Sequence, residues 1–440
     1  MSEAPAAAVP APPGPVVSGG TENDRAPRRT LAALVVTELL LSFALATPLV
    51  ATLSLKVNEI APDQRTSVLS LVAAVGSVAA FLLNPVFGHL SDRTVSRFGR
   101  RRPWIIGGLL AGFPAALVMA TATTTAQLTI GWLLAQAAYN AALAALSAVI
   151  ADRIPPDRQA TASGLFGAAG FAGVVPGLVL VGLLPGRTVL LFLLPAAVAA
   201  VGGALAWYLL RGERPLDPAE REPVSVRSVF TSLTFDPRKS PAFTIVWGQR
   251  FLLQFANSLI GAFGLYFFMA RLGMSTSEAA ALLSVTGLFS LVGNVVSAAV
   301  CGKLASRTGA YRAFIIGSGL LLTGSMLIKM TAASVWPVYV ASALAGIGLG
   351  AFYAVDLALV IRVMPHSADS ARYLGVFNIA KSLPQSIAPA LAPLLLALGS
   401  DPVVRSGDGN YFALYAGGAL AALAATALTP LIRHPRLTRD

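Results

Sequence analysis

The sequence predicts an all-α integral membrane protein, with twelve transmembrane helices in two pseudo-symmetric six-helix bundles. Three observations carry that expectation. Mean hydropathy is +0.72, and 55% of residues are hydrophobic while 12% are charged, about half the charge of a soluble domain. Twelve apolar runs follow one another, each near the ~20 residues that a spanning helix needs. A charged loop between two of them, Gly88-His89-Leu90-Ser91-Asp92-Arg93 running on to Gly99-Arg100-Arg101-Arg102-Pro103, returns 214 residues later as Gly302-Lys303-Leu304-Ala305-Ser306-Arg307.

The apolar runs fall at about 31–53, 66–87, 103–124, 127–150, 161–184 and 189–210 in the first half. In the second they fall at about 243–269, 278–300, 313–332, 335–360, 373–398 and 411–432. The chain so divides into a polar tail (1–29) rich in Pro, Ala and Gly, a first bundle (30–210), a charged linker (211–242), a second bundle (243–432) and a short tail (433–440). Residues 1–29 lack an apolar stretch of signal-peptide type and read as disordered.

Duplication shows beyond the loop. Glu38-Leu39-Leu40-Leu41-Ser42-Phe43-Ala44 matches Arg250-Phe251-Leu252-Leu253-Gln254-Phe255-Ala256 at an offset of 212. Asp152-Arg153-Ile154-Pro155 matches Arg362-Val363-Met364-Pro365 at 210, and Gly164-Leu165-Phe166-Gly167 matches Gly375-Val376-Phe377-Asn378 at 211. Repeated bundles of this kind are the architecture of secondary transporters, with the substrate held between the repeats.

The net charge of +12 is a topology signal. With the N-terminus inside, 24 of the 32 Lys and Arg fall in cytoplasmic segments, 6 fall outside and 2 lie within spans. That asymmetry directs both termini to the cytoplasm of a cell membrane, and no large polar domain exists to present a basic face to nucleic acid. Cys301 is alone, so no internal disulfide can form. The histidines (His89, His366, His434) fall in polar connections, which leaves no buried histidine relay or metal site. No phosphate-binding glycine loop is present to bind ATP, and no nucleophile–base pair lies within the spans. The expectation is therefore not an enzyme and no cofactor, with an ion gradient as the energy source.

These features together resemble the major facilitator superfamily over roughly residues 30 to 433. The longer loop form, Ser91-Asp92-Arg93 followed by Ser96-Arg97-Phe98-Gly99-Arg100-Arg101-Arg102-Pro103, is similar to that of plant sucrose–proton symporters. It is also similar to that of the glycoside–pentoside–hexuronide cation symporters. Leu374-Gly375-Val376-Phe377-Asn378 with Leu383-Pro384-Gln385-Ser386 in span 11 adds to the likeness, as does Pro155 with Gln159-Ala160 and Ala162-Ser163-Gly164 at span 5. The resemblance implies the major facilitator fold and proton-coupled alternating access. It further implies a monomer in the bilayer that moves a small polar solute, with a sugar or glycoside favoured. Proton-driven export of a metabolite or drug is the alternative. One departure matters: plant sucrose carriers place an arginine within span 4, and here Ala137 to Ile150 carry no charge.

Charged residues inside spans are costly and mark function by default. Glu38, Arg250, Asp356 and Lys381 qualify, on spans 1, 7, 10 and 11, and are expected to form a gate or carry the coupling proton. Asp356 is the first expectation for the proton. Glu38 and Arg250 occupy matching positions with opposite charge and are expected to meet. Static ion pairing is the competing role. Polar groups able to bond a hydroxylated ligand are Tyr139, Asn140, Gln254, Asn257, Tyr353, Asn378 and Gln385, and each would serve equally in bonding helix to helix. In the charged loop, Gly88, Asp92, Arg93, Gly99, Arg100 and Arg101 are expected to form a cytoplasmic latch. There Gly88 would allow close approach and Asp92 would face a helix N-terminus; the resemblance implies that helix is span 11.

Overall fold

The structure is a computed structural model that describes residues 25–210, 237–238, 240–363, 370–404 and 409–432. Span 1 consists of α1 (Arg25–Thr47), a π-helical turn at Pro48–Thr52 and α2 (Leu53–Ile60). Pro48 has no N–H to give to the preceding turn, so the ladder widens there, and the Thr52 hydroxyl donates to the Thr47 carbonyl at 3.0 Å. The first half continues with α3 (Arg65–Asp92), α4 (Arg102–Ala120), α5 (Thr125–Arg153), α6 (Pro156–Leu183) and α7 (Thr188–Leu209). The second half comprises α8 (Pro241–Gly261), α9 (Gly264–Leu272), α10 (Thr276–Thr308), α11 (Tyr311–Thr331), α12 (Val335–Val363), α13 (Ser370–Leu396) and α14 (Tyr411–Leu428).

Among the described residues, ten helices are long and apolar enough to cross a membrane, or eleven when α8 and α9 count as one span. The remaining pass is α13. It has 27 residues, but it carries three internal prolines as well as Lys381 and Gln385, and these lower its apolar content. Span 7, expected as one run, is instead broken by 55° between α8 and α9. The Gly261-Ala262-Phe263-Gly264 junction explains the break, because two glycines in four residues hold a helix weakly. Several helices outlast their apolar runs. α3 continues through His89 to Asp92, so Gly88 and His89 sit in its last turn and not in a connection.

The helix packing is two-fold. In the first half α1 packs on α6 and α7, α5 packs on α3 and α4, and α4 packs on α7. The second half repeats the pattern, with α8 on α13 and α14, α12 on α10 and α11, and α11 on α14. Small residues make these approaches possible in lipid, where no hydrophobic drive presses helix to helix. A Cβ on Gly173 would lie 2.4 Å from the Leu39 carbonyl, and one on Gly346 would lie 1.9 Å from that of Ser290.

Between the halves α3 lies against α13, and α6 against α10. At the face opposite the chain's ends, further bonds join the halves. Tyr266 on α9 donates its buried hydroxyl to the Ser54 carbonyl of α2 at 2.8 Å. Arg65 lies 5.4 Å over the Tyr266 ring, and the Asn58 amide reaches the Thr276 hydroxyl at 3.4 Å. These contacts bridge the two halves on that face.

Candidate functional site

The four charges within the spans converge. Arg250 on α8 and Asp356 on α12 form a buried ion pair, and the Arg250 guanidinium lies 3.9 Å over the Phe377 ring of α13. Lys381, one turn along α13, is within electrostatic reach of Glu38, Arg250 and Asp356. Its side chain is exposed while Ala380, Pro384 and Ala388 beside it are buried. Its charged neighbours come from both halves, so it stands where the two bundles meet.

Glu38 brings the first half into this cluster. Its Oε1 accepts from the Ser42 hydroxyl at 3.0 Å, and Oε2 is buried with no hydrogen-bond partner among the described residues. Gly170 of α6 stands so close that a Cβ there would lie 3.0 Å from Oε1. The expected meeting of Glu38 with Arg250 does not occur as a direct pair: the carboxylate bound to Arg250 is that of Asp356. Matching positions in two repeats belong to different bundles, whereas α12 and α8 belong to one bundle and reach each other directly.

The polar candidates separate by half. Tyr353 donates to Gln254 Oε1 at 2.9 Å beside the ion pair, and its ring packs 5.5 Å from Phe171 of α6, across the halves. Asn257 is half-buried on α8, and Gln385 is exposed on the Lys381 side of α13. The Asn378 side chain lies outside the described residues. Tyr139 and Asn140 serve their own bundle. Asn140 donates to Gln136 at 2.9 Å and accepts from Asn84 at 3.3 Å, while Tyr139 packs on Gly112, where a Cβ would lie 2.3 Å from its ring. Buried amides between helices bond each other, and Asn140 is consumed in that way, whereas Tyr139 is placed by packing, its hydroxyl without a hydrogen-bond partner among the described residues.

At the face of the chain's ends, Asp92 is ion-paired with Arg101 of its own loop. Arg100 and Arg101 hold Asp152 at the end of α5, at 2.7 and 2.9 Å, and Arg101 also donates to the Ser91 hydroxyl at 2.6 Å. The loop is thus bonded within the first bundle. The first three side chains of α13, where a latch partner was expected, lie outside the described residues. Gly99 has φ of 92°, a conformation that favours glycine. Gly88 has no such need: a Cβ there would meet nothing within 4 Å, so the close approach expected of it is absent. Arg93 is half-buried just past the end of α3. Ser306, in the second copy, turns back to the Lys303 carbonyl of its own helix at 2.9 Å.

Sequence reasoning missed a second buried ion pair. Arg271 at the end of α9 donates to Asp401 at 2.7 Å and to the Met330 carbonyl at 3.1 Å. Asp401 also accepts from the backbone of Val403 and Phe412. Both residues fall in connections between apolar runs, 130 positions apart, and nothing local marks either as buried. Ser42, by contrast, was findable: it stands one helical turn after Glu38.

The sequence profile described as Major Facilitator Superfamily matches residues 31–301 and 250–439. The chain belongs to that superfamily. Among solved facilitator structures, that of the nucleoside transporter NupG superposes with a TM-score of 0.70 at 13% identity, covering 92% of this chain and 98% of that one. A bacterial homologue of the human lysosomal transporter Spinster, described as inward-facing and occupied, gives 0.63 at 14% identity, covering 94% of this chain and 96% of that one. Closer sequence likeness is short. Proton-associated sugar transporter A of Homo sapiens is 38% identical over 97 residues, which is 20% of this facilitator and 12% of that protein. The uncharacterised symporter sll1374 of Synechocystis is 46% identical over 39 residues, or 9% of this chain and 7% of that one. This facilitator is a multi-pass secondary transporter, and its family moves small molecules across membranes.

Proposed function

We propose that this facilitator is a proton-coupled carrier of a small polar solute, a sugar or glycoside, with both termini in the cytoplasm of a cell membrane. The observation that carries the reading is the cluster in which Glu38 of one bundle acts on Lys381 beside the Arg250–Asp356 pair of the other. Alternating access requires a group whose protonation is felt by both halves, and this cluster meets that need. Of the two acids, Glu38 suits the coupling proton better than Asp356. Asp356 is held by Arg250, whereas Glu38 has one oxygen without a partner among the described residues and is attracted at longer range by Lys381. Protonating Glu38 would release its attraction to Lys381 of the other bundle, so a proton and a solute could unlock the halves together. The Arg250–Asp356 pair then serves as a fixed anchor beneath the site.

Gln254, Tyr353, Asn257 and Gln385 are the proposed solute contacts, because they lie on the same helices as the charged cluster. The half-buried Trp247, Phe251 and Phe255 stack in succession along α8, with centroids 5.5 and 6.4 Å apart, and supply flat apolar surface suited to a sugar ring. The partial likeness to a proton-associated sugar transporter and to a symporter supports the same class. The test is purified protein in liposomes with an imposed proton gradient and a panel of labelled mono- and disaccharides. Accumulation of label in the direction of proton flow is the expected result. Glu38→Gln is expected to abolish accumulation while leaving exchange at equal pH, and Asp356→Asn to lower both. Movement of label against the direction of proton flow would favour the export reading, and movement of no sugar would remove the proposed substrate class.

A further inference from the structure

The last turn of α7 is ringed by arginines from three other helices. Arg29 of α1 donates to the Tyr208 carbonyl at 2.5 Å and lies 5.1 Å over its ring. Arg102 of α4 donates to the Trp207 carbonyl at 2.7 Å and lies 4.1 Å over that ring. Arg153 of α5 donates to the Leu210 carbonyl at 3.2 Å. These guanidinium groups satisfy the carbonyls a helix leaves unpaired at its C-terminus, and they sit at the negative end of its dipole.

Two further arginines stand beside them. Arg97 is exposed and lies 4.6 Å over the Phe98 ring, which packs 4.8 Å from Trp207. Arg28 is exposed on the first turn of α1. Carboxylates neutralise the neighbouring Arg100 and Arg101 through Asp152 and Asp92. No carboxylate among the described residues pairs with Arg28, Arg29 or Arg97. Among the described residues the corner is thus strongly positive and faced with aromatic rings, Tyr208 being 55% exposed, and it lies where the apolar span of α7 ends. The repeat does not share it: among the described residues at the end of α14, a single arginine, Arg312, bonds the Ile432 carbonyl.

We infer that the corner formed by α1, α4 and α7 binds the headgroup of an anionic phospholipid, its phosphodiester held between Arg29 and Arg97 with Arg28 at the rim. Arginine's planar fork suits a phosphate oxygen pair, and Tyr208 and Trp207 belong at the depth where headgroup meets acyl chain. Topology alone asks for positive charge on this side. It does not ask for guanidinium groups positioned by carbonyls and rings.

The experiment is native mass spectrometry of the full chain, released from micelles or nanodiscs that hold either phosphatidylglycerol or phosphatidylcholine. Each basic residue near an anionic headgroup is worth about a fivefold change in binding. Replacing Arg28, Arg29 and Arg97 by Gln together should therefore lower retained phosphatidylglycerol by at least about tenfold and leave phosphatidylcholine unchanged. Since Arg29 also bonds a helix end, Arg28→Gln with Arg97→Gln is the second variant, expected to show about two-thirds of that effect on a logarithmic scale. The control removes the same kind of charge from the equivalent loop of the second half, Lys303→Gln with Arg307→Gln, and should retain phosphatidylglycerol as the parent does. Equal losses in variants and control would overturn the site and leave only general attraction to the surface. Displacement of phosphatidylglycerol by millimolar inorganic phosphate would overturn it as well, in favour of a free-anion site.

Discussion

Arg250 and Asp356 have become each other's solvent. Both are buried, and each would be an isolated charge in the bundle without the other. Truncating one partner of a buried pair costs ~3–5 kcal/mol, whereas replacing both by apolar groups costs far less. Arg250→Met and Asp356→Leu should each lower the unfolding midpoint in a fixed detergent, with the double variant well short of the sum. Glu38→Gln combined with Arg250→Met should be close to additive, because those two side chains make no direct pair. Additivity in the first cycle, or strong coupling in the second, would mean the charges are partnered otherwise than described. Each of the four charged residues is visible in the sequence as a costly residue in an apolar run. Which acid faces which base is not, because pairing depends on the register of four helices and no local pattern encodes it.

At the scale of elements, α1 and α6 meet through Gly173, with its absent Cβ only 2.4 Å from a backbone carbonyl. Backbone cannot retreat as a side chain tip can. Gly173→Leu is therefore expected to prevent folding, read as loss of the monodisperse peak in size-exclusion chromatography. Gly167→Ala, where a Cβ meets nothing within 4 Å, should elute as the parent does. A monodisperse Gly173→Leu protein would show that the two helices can part without cost. α9 carries a different role. Its far end is fixed by the Arg271–Asp401 pair and its near end breaks from α8, so it behaves as a short lever whose Tyr266 bonds the other half. Tyr266→Phe removes one hydrogen bond, worth ~1 kcal/mol, and should shift the closed-to-open ratio of that face about fivefold. Spin-label distances across that face would measure it, and an unchanged distribution would show that the bond does not hold the face shut. The break in span 7 does not follow from its apolar run, although the glycines that permit it stand in the sequence.

For the whole molecule, the bridging of one face by contacts between bundles implies that transport must open them. Asn58 and Thr276 face each other across this seam. In a Cys301→Ser background, Asn58→Cys with Thr276→Cys should be joined by a short cleavable bis-thiosulfonate. Transport is expected to fall by more than about tenfold and to return on reduction. Full transport by the joined protein would place the moving seam elsewhere. The amino-acid sequence by itself determined the membrane as solvent, the helical class and the duplication, since each rests on periodicity and composition that a linear chain displays. It also marked Glu38, Arg250, Asp356 and Lys381, because charge in an apolar run is conspicuous wherever it ends up. Tertiary structure alone decided the Arg250–Asp356 pairing and the retirement of Tyr139 and Asn140 into bundle packing. It also decided the burial of Arg271 with Asp401, from connections that read as exposed. Each of these depends on how helices distant in sequence rotate against one another, and that rotation is fixed by close packing across the whole bundle.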